Sequence, residues 1–185
     1  MKSLLSLCIL VFALISMPVI AQDGVVKTWN KNSFSSNKTF SENIQSAPEF
    51  SILASLLEDE YLANALKSNG MVTVFAMTDS SFGTWEKSKR DSVMSNMPLK
   101  RAMVKYHTVQ GRIDKSLLQA TVAKNGGSVQ MTTLQKEKIT VQDQNGTLIL
   151  TDSQGNKATI TATNFSHKNG FFHIVEGVLL PTMME

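Results

Sequence analysis

Hydrophobic and polar positions recur along this chain with several different periods, and each period predicts a different element. Leu4 to Ile15 form an apolar run broken only by Ser6, led by Lys2 and followed by Pro18 and the small-residue site Val19-Ile20-Ala21. That order of positive, apolar and small positions reads as a secretory signal peptide over residues 1–21, removed near Ala21. Residues 22–37 are rich in Asn, Ser and Lys, lack a sustained apolar period and read as a flexible N-terminal tail, with Trp29 and Phe34 as the side chains able to dock it. One folded domain is expected over 38–185.

Within that domain the first half has a helical period. Ser46-Ala47-Pro48-Glu49 has the form of a capping box, and Phe50, Leu53 and Leu57 follow at helical spacing. Leu62 and Leu66 mark a second helix that stops at Asn69-Gly70, because glycine reaches positive φ without steric cost. Val72 to Ala76 is a β-branched and aromatic run expected as a buried strand, and Asp79-Ser80-Ser81 is placed to cap a short helix carrying Phe82 and Trp85. Pro98, Leu99, Ala102, Met103 and Tyr106 spell one more amphipathic helix. From residue 128 the period shortens to two. Ser128–Thr133, Ile139–Gln142, Thr147–Thr151, Ala158–Asn164 and Phe171–Val175 read as strands separated by Asn145-Gly146, Gly155-Asn156 and Asn169-Gly170. Asn145-Gly146 predicts a two-residue hairpin turn, which needs positive φ at both positions. A helix-rich N-terminal half followed by a strand-rich C-terminal half is α+β, not a βαβ nucleotide-binding design.

Composition narrows the function classes. Of 185 residues, 42% are hydrophobic and 18% charged, and the formal net charge is +3 without a clustered basic face, so nucleic acid is set aside as a partner. Cys8 is the single cysteine and lies in the apolar run of the leader, so the mature chain has no thiol for a disulfide, a metal or nucleophilic catalysis. No second apolar segment is long enough to span a membrane, and the destination is the periplasm, the cell surface or the medium.

The catalytic inventory is thin. No G-x-S-x-G, H-E-x-x-H, C-x-x-C or P-loop occurs; His107 and His167 have no His or carboxylate three or four residues on, and Glu176, three after His173, lies in a run read as a strand, where that spacing puts the two on opposite sides. An enzyme, a metal site and a cofactor are therefore not expected. Tyr106 closes an apolar stripe, so its ring should be buried and its hydroxyl partnered, while His107 sits where the last helical carbonyls can accept its N–H. The pair has two readings, a structural link from helix to strands or a recognition surface. His173 lies in a strand with large apolar groups on both faces and reads as a hydrogen-bonded core histidine. Met94, Met97 and Met103 read as core filling, and Ser88-Lys89-Arg90 and Lys100-Arg101 as solvated helix faces.

Three ordered blocks resemble the fasciclin (FAS1) domain family. Thr73-Val74-Phe75-Ala76-Met77-Thr78-Asp79-Ser80-Ser81-Phe82 resembles its first signature, Tyr106-His107 its central pair, and Asn169-Gly170-Phe171-Phe172-His173-Ile174-Val175-Glu176-Gly177-Val178-Leu179-Leu180-Pro181 its closing signature. The resemblance runs from about Lys38 to Pro181, with Met77 where the family usually has Pro and Glu176 where it has Asp. Thr163-Asn164-Phe165-Ser166 does not look like the Asp-Ile element that animal members are thought to use for integrin contact.

The resemblance implies a compact wedge of about seven short strands with several helices, and a non-catalytic module for adhesion or interaction outside the cytoplasm. Its partner would be a cell-surface or matrix protein or a polysaccharide, bound through Tyr106, His107 and neighbouring loops. The other signature residues are expected to be structural: Val74, Phe75 and Phe82 in the core, Thr78 and Asp79 capping the helix that follows them, and Thr73, Asn169, Gly170, His173, Val178, Leu179 and Pro181 holding the fold. The rival class is a binder of small molecules or lipid with an apolar pocket lined by Met and Phe.

Overall fold

The computed structural model describes residues 24–182, so the expected leader lies outside the described residues. A hairpin of β1 (Val26–Trp29) and β2 (Asn32–Ser35) comes first, then α1 (Phe40–Gln45), α2 (Ser51–Leu56) and α3 (Glu60–Ser68). After β3 (Val72–Met77) come α4 (Lys87–Ser95), α5 (Met97–Tyr106), β4 (Thr108–Gln110) and α6 (Lys115–Lys124). The chain then meanders through β5 (Ser128–Thr132), β6 (Lys138–Gln144), β7 (Thr147–Thr151), β8 (Lys157–His167) and β9 (Gly170–Glu176). The sequence reading misses β1, β2, α1, α6 and β4, and finds the five C-terminal strands.

Strands β3 to β9 form one seven-stranded sheet in the order β4-β3-β9-β8-β7-β6-β5. Every pairing is antiparallel except β3 with β9, which joins the first and last signatures in parallel from Val72↔Gly170 to Met77↔Val175. The sheet curls until its edges meet, where Val109 bridges Thr133 and Leu134 N–H donates to Thr108 O at 2.8 Å. Gly170 sits at φ 152°, and a Cβ there would overlap the Val72 carbonyl, so the parallel pairing starts at a residue that must be glycine. Asn145 and Gly146 both have positive φ, at 54° and 85°, and close the β6–β7 hairpin as expected.

Two local expectations change. Residues 26–35 are not a tail: they form the β1–β2 hairpin, and Phe34 is 1% exposed. Its ring meets Phe50, Phe165 and Phe172 edge-on at 6.3, 5.3 and 5.1 Å, while Trp29 tilts onto Phe50 at 5.5 Å. Two aromatic side chains at alternate ends of a polar hairpin supply the burial that its own composition does not advertise. The capping box is also displaced. Ala47 makes no side-chain cap before the Pro48–Phe50 turn, whereas Thr39 and Glu42 form a reciprocal box at the start of α1.

Candidate interaction surface

Tyr106 and His107 end α5 and turn inward. Both are fully buried, as the structural-link reading of the pair has it, and neither ring is exposed for the direct contact that the recognition-surface reading needs. The Tyr106 hydroxyl donates to Lys138 O at 3.0 Å, tying α5 to the start of β6. Burial, with Asp152 and Glu137 adding negative potential, pushes its phenol up to about 12. His107 Nδ1 lies 2.9 Å from Met103 O and Nε2 lies 3.0 Å from Leu179 N. A carbonyl can only accept and an amide N–H only donate, so the ring is neutral with its proton on Nδ1. Burial lowers its pKa to about 4, against the smaller opposing effects of Met103 O and Asp152.

The signature residues hold the frame around this pair. Thr73 Oγ1 donates to Gly111 O and accepts from Ile113 N at 2.8 and 2.9 Å. His173 Nε2 donates to Ile113 O at 2.9 Å and Nδ1 accepts from Asn164 N at 3.3 Å, and burial depresses this ring to about 4 as well. Asn169 Nδ2 reaches Leu66 O and Gly70 O at 2.9 and 3.2 Å. Val74, Phe75, Phe82, Val178, Leu179 and Pro181 are buried. Thr78 and Asp79 do not cap the turn that follows them. Asp79 instead accepts from the Ser51 and Ile52 amides at the start of α2, at 3.1 and 2.9 Å, while Thr78 Oγ1 donates to Glu176 Oε1 at 2.9 Å. Asp152, which sequence reasoning overlooks, accepts from Leu180 N at 2.8 Å and anchors the closing signature. Its signal was faint: Asp152 to Asn156 is a turn-rich stretch in which an Asp accepts from the backbone two residues on.

Outside this frame two helices present matching stripes, polar except at Ala65, Pro98 and Ala102. On α3, Leu62 and Leu66 are buried, while Tyr61, Asn64, Ala65 and Ser68 recur at i, i+3, i+4 and i+7 along a surface groove. On α5 the same spacing brings Pro98, Arg101, Ala102 and Lys105 to the groove. The turn after β5 forms the far wall with Leu134 and Lys136. Two adjoining hollows of about 410 and 260 Å³ share Tyr61 and Lys105. Arg101 grips Asp59, the cap of α3, through Nε and Nη2 at 3.0 and 2.7 Å, and its guanidinium lies 4.7 Å over the Tyr61 ring. That pairing holds the Asp59 carboxyl below its usual range. Tyr106 thus ties α5, on one side of the groove, to the strand that follows the turn on the other.

A third hollow, of about 260 Å³, lies away from the groove between Trp29, Glu49, Asp79, Ser80 and Glu176. Its carboxylates are engaged internally: Glu49 accepts from Asn32, Asp79 from α2, and Glu176 from Thr78 and Ser80. Among the described residues no group of three or more His, Cys, Asp or Glu side chains is placed to hold a metal, and no helix is long and apolar enough to cross a membrane.

The fasciclin domain family profile matches residues 48–181. Protein sll1483 of Synechocystis sp. is 27% identical over 136 residues, covering 72% of this chain and 68% of that protein. Transforming growth factor-beta-induced protein ig-h3 of Sus scrofa is 27% identical over 132 residues, which span 71% of this chain and 18% of the pig protein. A solved FAS1 domain pair from the insect cell adhesion molecule Fasciclin I superposes with a TM-score of 0.66 at 16% identity, over 80% of this chain and 52% of that one. At that identity the likeness shows the fold alone.

Proposed function

This chain belongs to the fasciclin domain family, a family involved in cell adhesion and interaction, and from that premise we propose that it is a non-catalytic module that holds a surface or matrix partner in the α3–α5 groove. The protein works outside the cytoplasm, after removal of its leader near Ala21. The observation that carries the reading is the placement of Tyr106 and His107. The buried Tyr106 hydrogen bond braces α5 against the strand that follows the turn, His107 ties the end of α5 to Leu179, and the surface beside the Tyr106 brace is an open groove with an exposed aromatic ring, amides and cations. A rigid scaffold presenting such side chains is built to bind, because the groups are positioned before the partner arrives.

The test is retention of host envelope and matrix fractions on the immobilised processed protein, compared with Ser68→Trp, which plugs the groove from an exposed position on α3. Retention by the wild type and its loss in the folded variant is expected. Equal retention by both moves the binding face elsewhere.

A further inference from the structure

Among the described residues, neither hollow of the groove has an Asp or Glu on its lining. Lys105 and Lys136 stand on facing walls, and neither ammonium lies within ion-pair distance of a carboxylate among the described residues. Glu137, beside Lys136 in sequence, is taken up by Thr182, whose N and Oγ1 donate to it at 2.9 and 2.6 Å. Arg101, by contrast, is answered by Asp59. Among the described residues, two unanswered cations therefore flank a groove lined by no anion, and a ligand bringing negative charge satisfies both.

The rest of the lining narrows the ligand. Tyr61 is 58% exposed, a large share for an aromatic ring on a helix of this size, and Arg101 covers one of its faces. Its remaining surface offers a π-face to C–H groups. Asn64 and Ser68 add an amide and a hydroxyl, and Asn69 spends Nδ2 on Ala65 O at 2.6 Å while keeping its Oδ1 as an acceptor. The apolar lining is small: Ala65, Ala102 and Pro98, with Leu134 buried at the base. A protein partner would need an apolar anchor pocket at the centre, which these residues do not form. From Tyr61 to Ser68 the stripe runs roughly 10 Å at the α-helical rise, the reach of a short saccharide segment.

Resting on the reading that this groove is the binding face, we propose that it takes a segment of an acidic polysaccharide, with carboxylate or sulfate groups on Lys105 and Lys136 and a pyranose ring against Tyr61. Lysine suits both anions, because a compact ammonium makes no planar demand of the kind arginine makes.

The exported, processed protein is titrated calorimetrically with polygalacturonate oligomers, dextran sulfate oligomers, neutral dextran and poly-glutamate, at low and at physiological salt. Binding of one or both acidic saccharides, weakening with salt, is expected, and the stronger of the two identifies the anion. Neutral dextran should not bind, and poly-glutamate should bind at least about tenfold more weakly. Lys105→Gln with Lys136→Gln should lower saccharide affinity about tenfold or more and flatten its salt dependence. Tyr61→Ala should weaken binding while leaving the salt dependence in place.

Equal binding of poly-glutamate overturns the proposal in favour of an acidic peptide, and saccharide binding that survives the double lysine variant overturns the site. If no saccharide binds but a matrix fraction is still retained in a Ser68→Trp-sensitive manner, the ligand class falls and the groove reading stands. If Ser68→Trp changes nothing, the groove reading falls as well.

Discussion

His107 and His173 are two imidazoles locked neutral by opposite demands at their two nitrogens, each donating to a carbonyl and accepting from an amide. Protonation would turn the accepting nitrogen into a donor facing another donor, in surroundings that exclude water. Burial depresses both rings from 6.5 to about 4, and His167 shifts in the same direction. The folded pKa is below the unfolded one, so the stability held by the neutral rings is complete above pH 6.5 and is lost as pH falls towards about 4. Each of the two most depressed rings contributes on the order of 3 kcal/mol across that window. Asp59, Glu42 and Glu49 lie below their usual carboxylate ranges and add their losses only at lower pH. Urea unfolding measured between about pH 7 and 5 isolates the histidines, and should give stability falling with acidity. A flat profile over that interval would contradict the buried, singly protonated arrangement.

At the scale of elements the β1–β2 hairpin is the test of what burial does. It has no hydrophobic face of its own beyond Trp29 and Phe34, so its order depends on Phe34 filling the space between Phe50, Phe165 and Phe172. Phe34→Ala should cost roughly 3–5 kcal/mol and expose residues 26–35 to limited proteolysis, whereas Lys31→Ala at the exposed turn should do neither. Unchanged stability in Phe34→Ala would mean that the hairpin is an attachment and not part of the core.

This element also shows what is legible in a sequence and what is not. The meander β5–β9 could be read because Asn145-Gly146 and Asn169-Gly170 announce turns and the alternation between them is clean. The hairpin could not, because its signal is two aromatics whose value lies in contacts with residues as far as 138 positions away, as Phe34 is from Phe172. Helix α6 did carry marks, Asp114 as its cap and the glycine pair Gly126-Gly127 beyond its end, but its low amphipathicity hid them. Asp79 illustrates the same limit at a site: a carboxylate suited to capping was visible, but the helix it caps lies upstream in the chain and meets it only through the fold. The groove escaped for a related reason. Each of its polar stripes alone reads as a solvated face, and only tertiary packing sets Tyr61, Lys105 and Lys136 around one space.

For the whole molecule, the decisive arrangement is the closure of the curled sheet against α5. Tyr106 bonds to Lys138 O at one end of this seam, and Leu134 N–H bonds to Thr108 O at the other, so the turn carrying Lys136 is pinned on both sides to the segment carrying Lys105. A buried hydroxyl thus joins the helix of one groove wall to the strand that follows the other. Tyr106→Phe keeps the ring and its packing but leaves the Lys138 carbonyl without its donor, at a cost of about 1–2 kcal/mol in stability. A purely structural residue would change only the melting temperature. If Tyr106 positions the walls, partner retention falls further in Tyr106→Phe than in a core variant of matched stability remote from the seam, such as Ile160→Val, compared at a temperature where both remain folded. Equal retention by the two variants would confine Tyr106 to fold maintenance and place the geometry of the groove under the control of α3 and α5 alone.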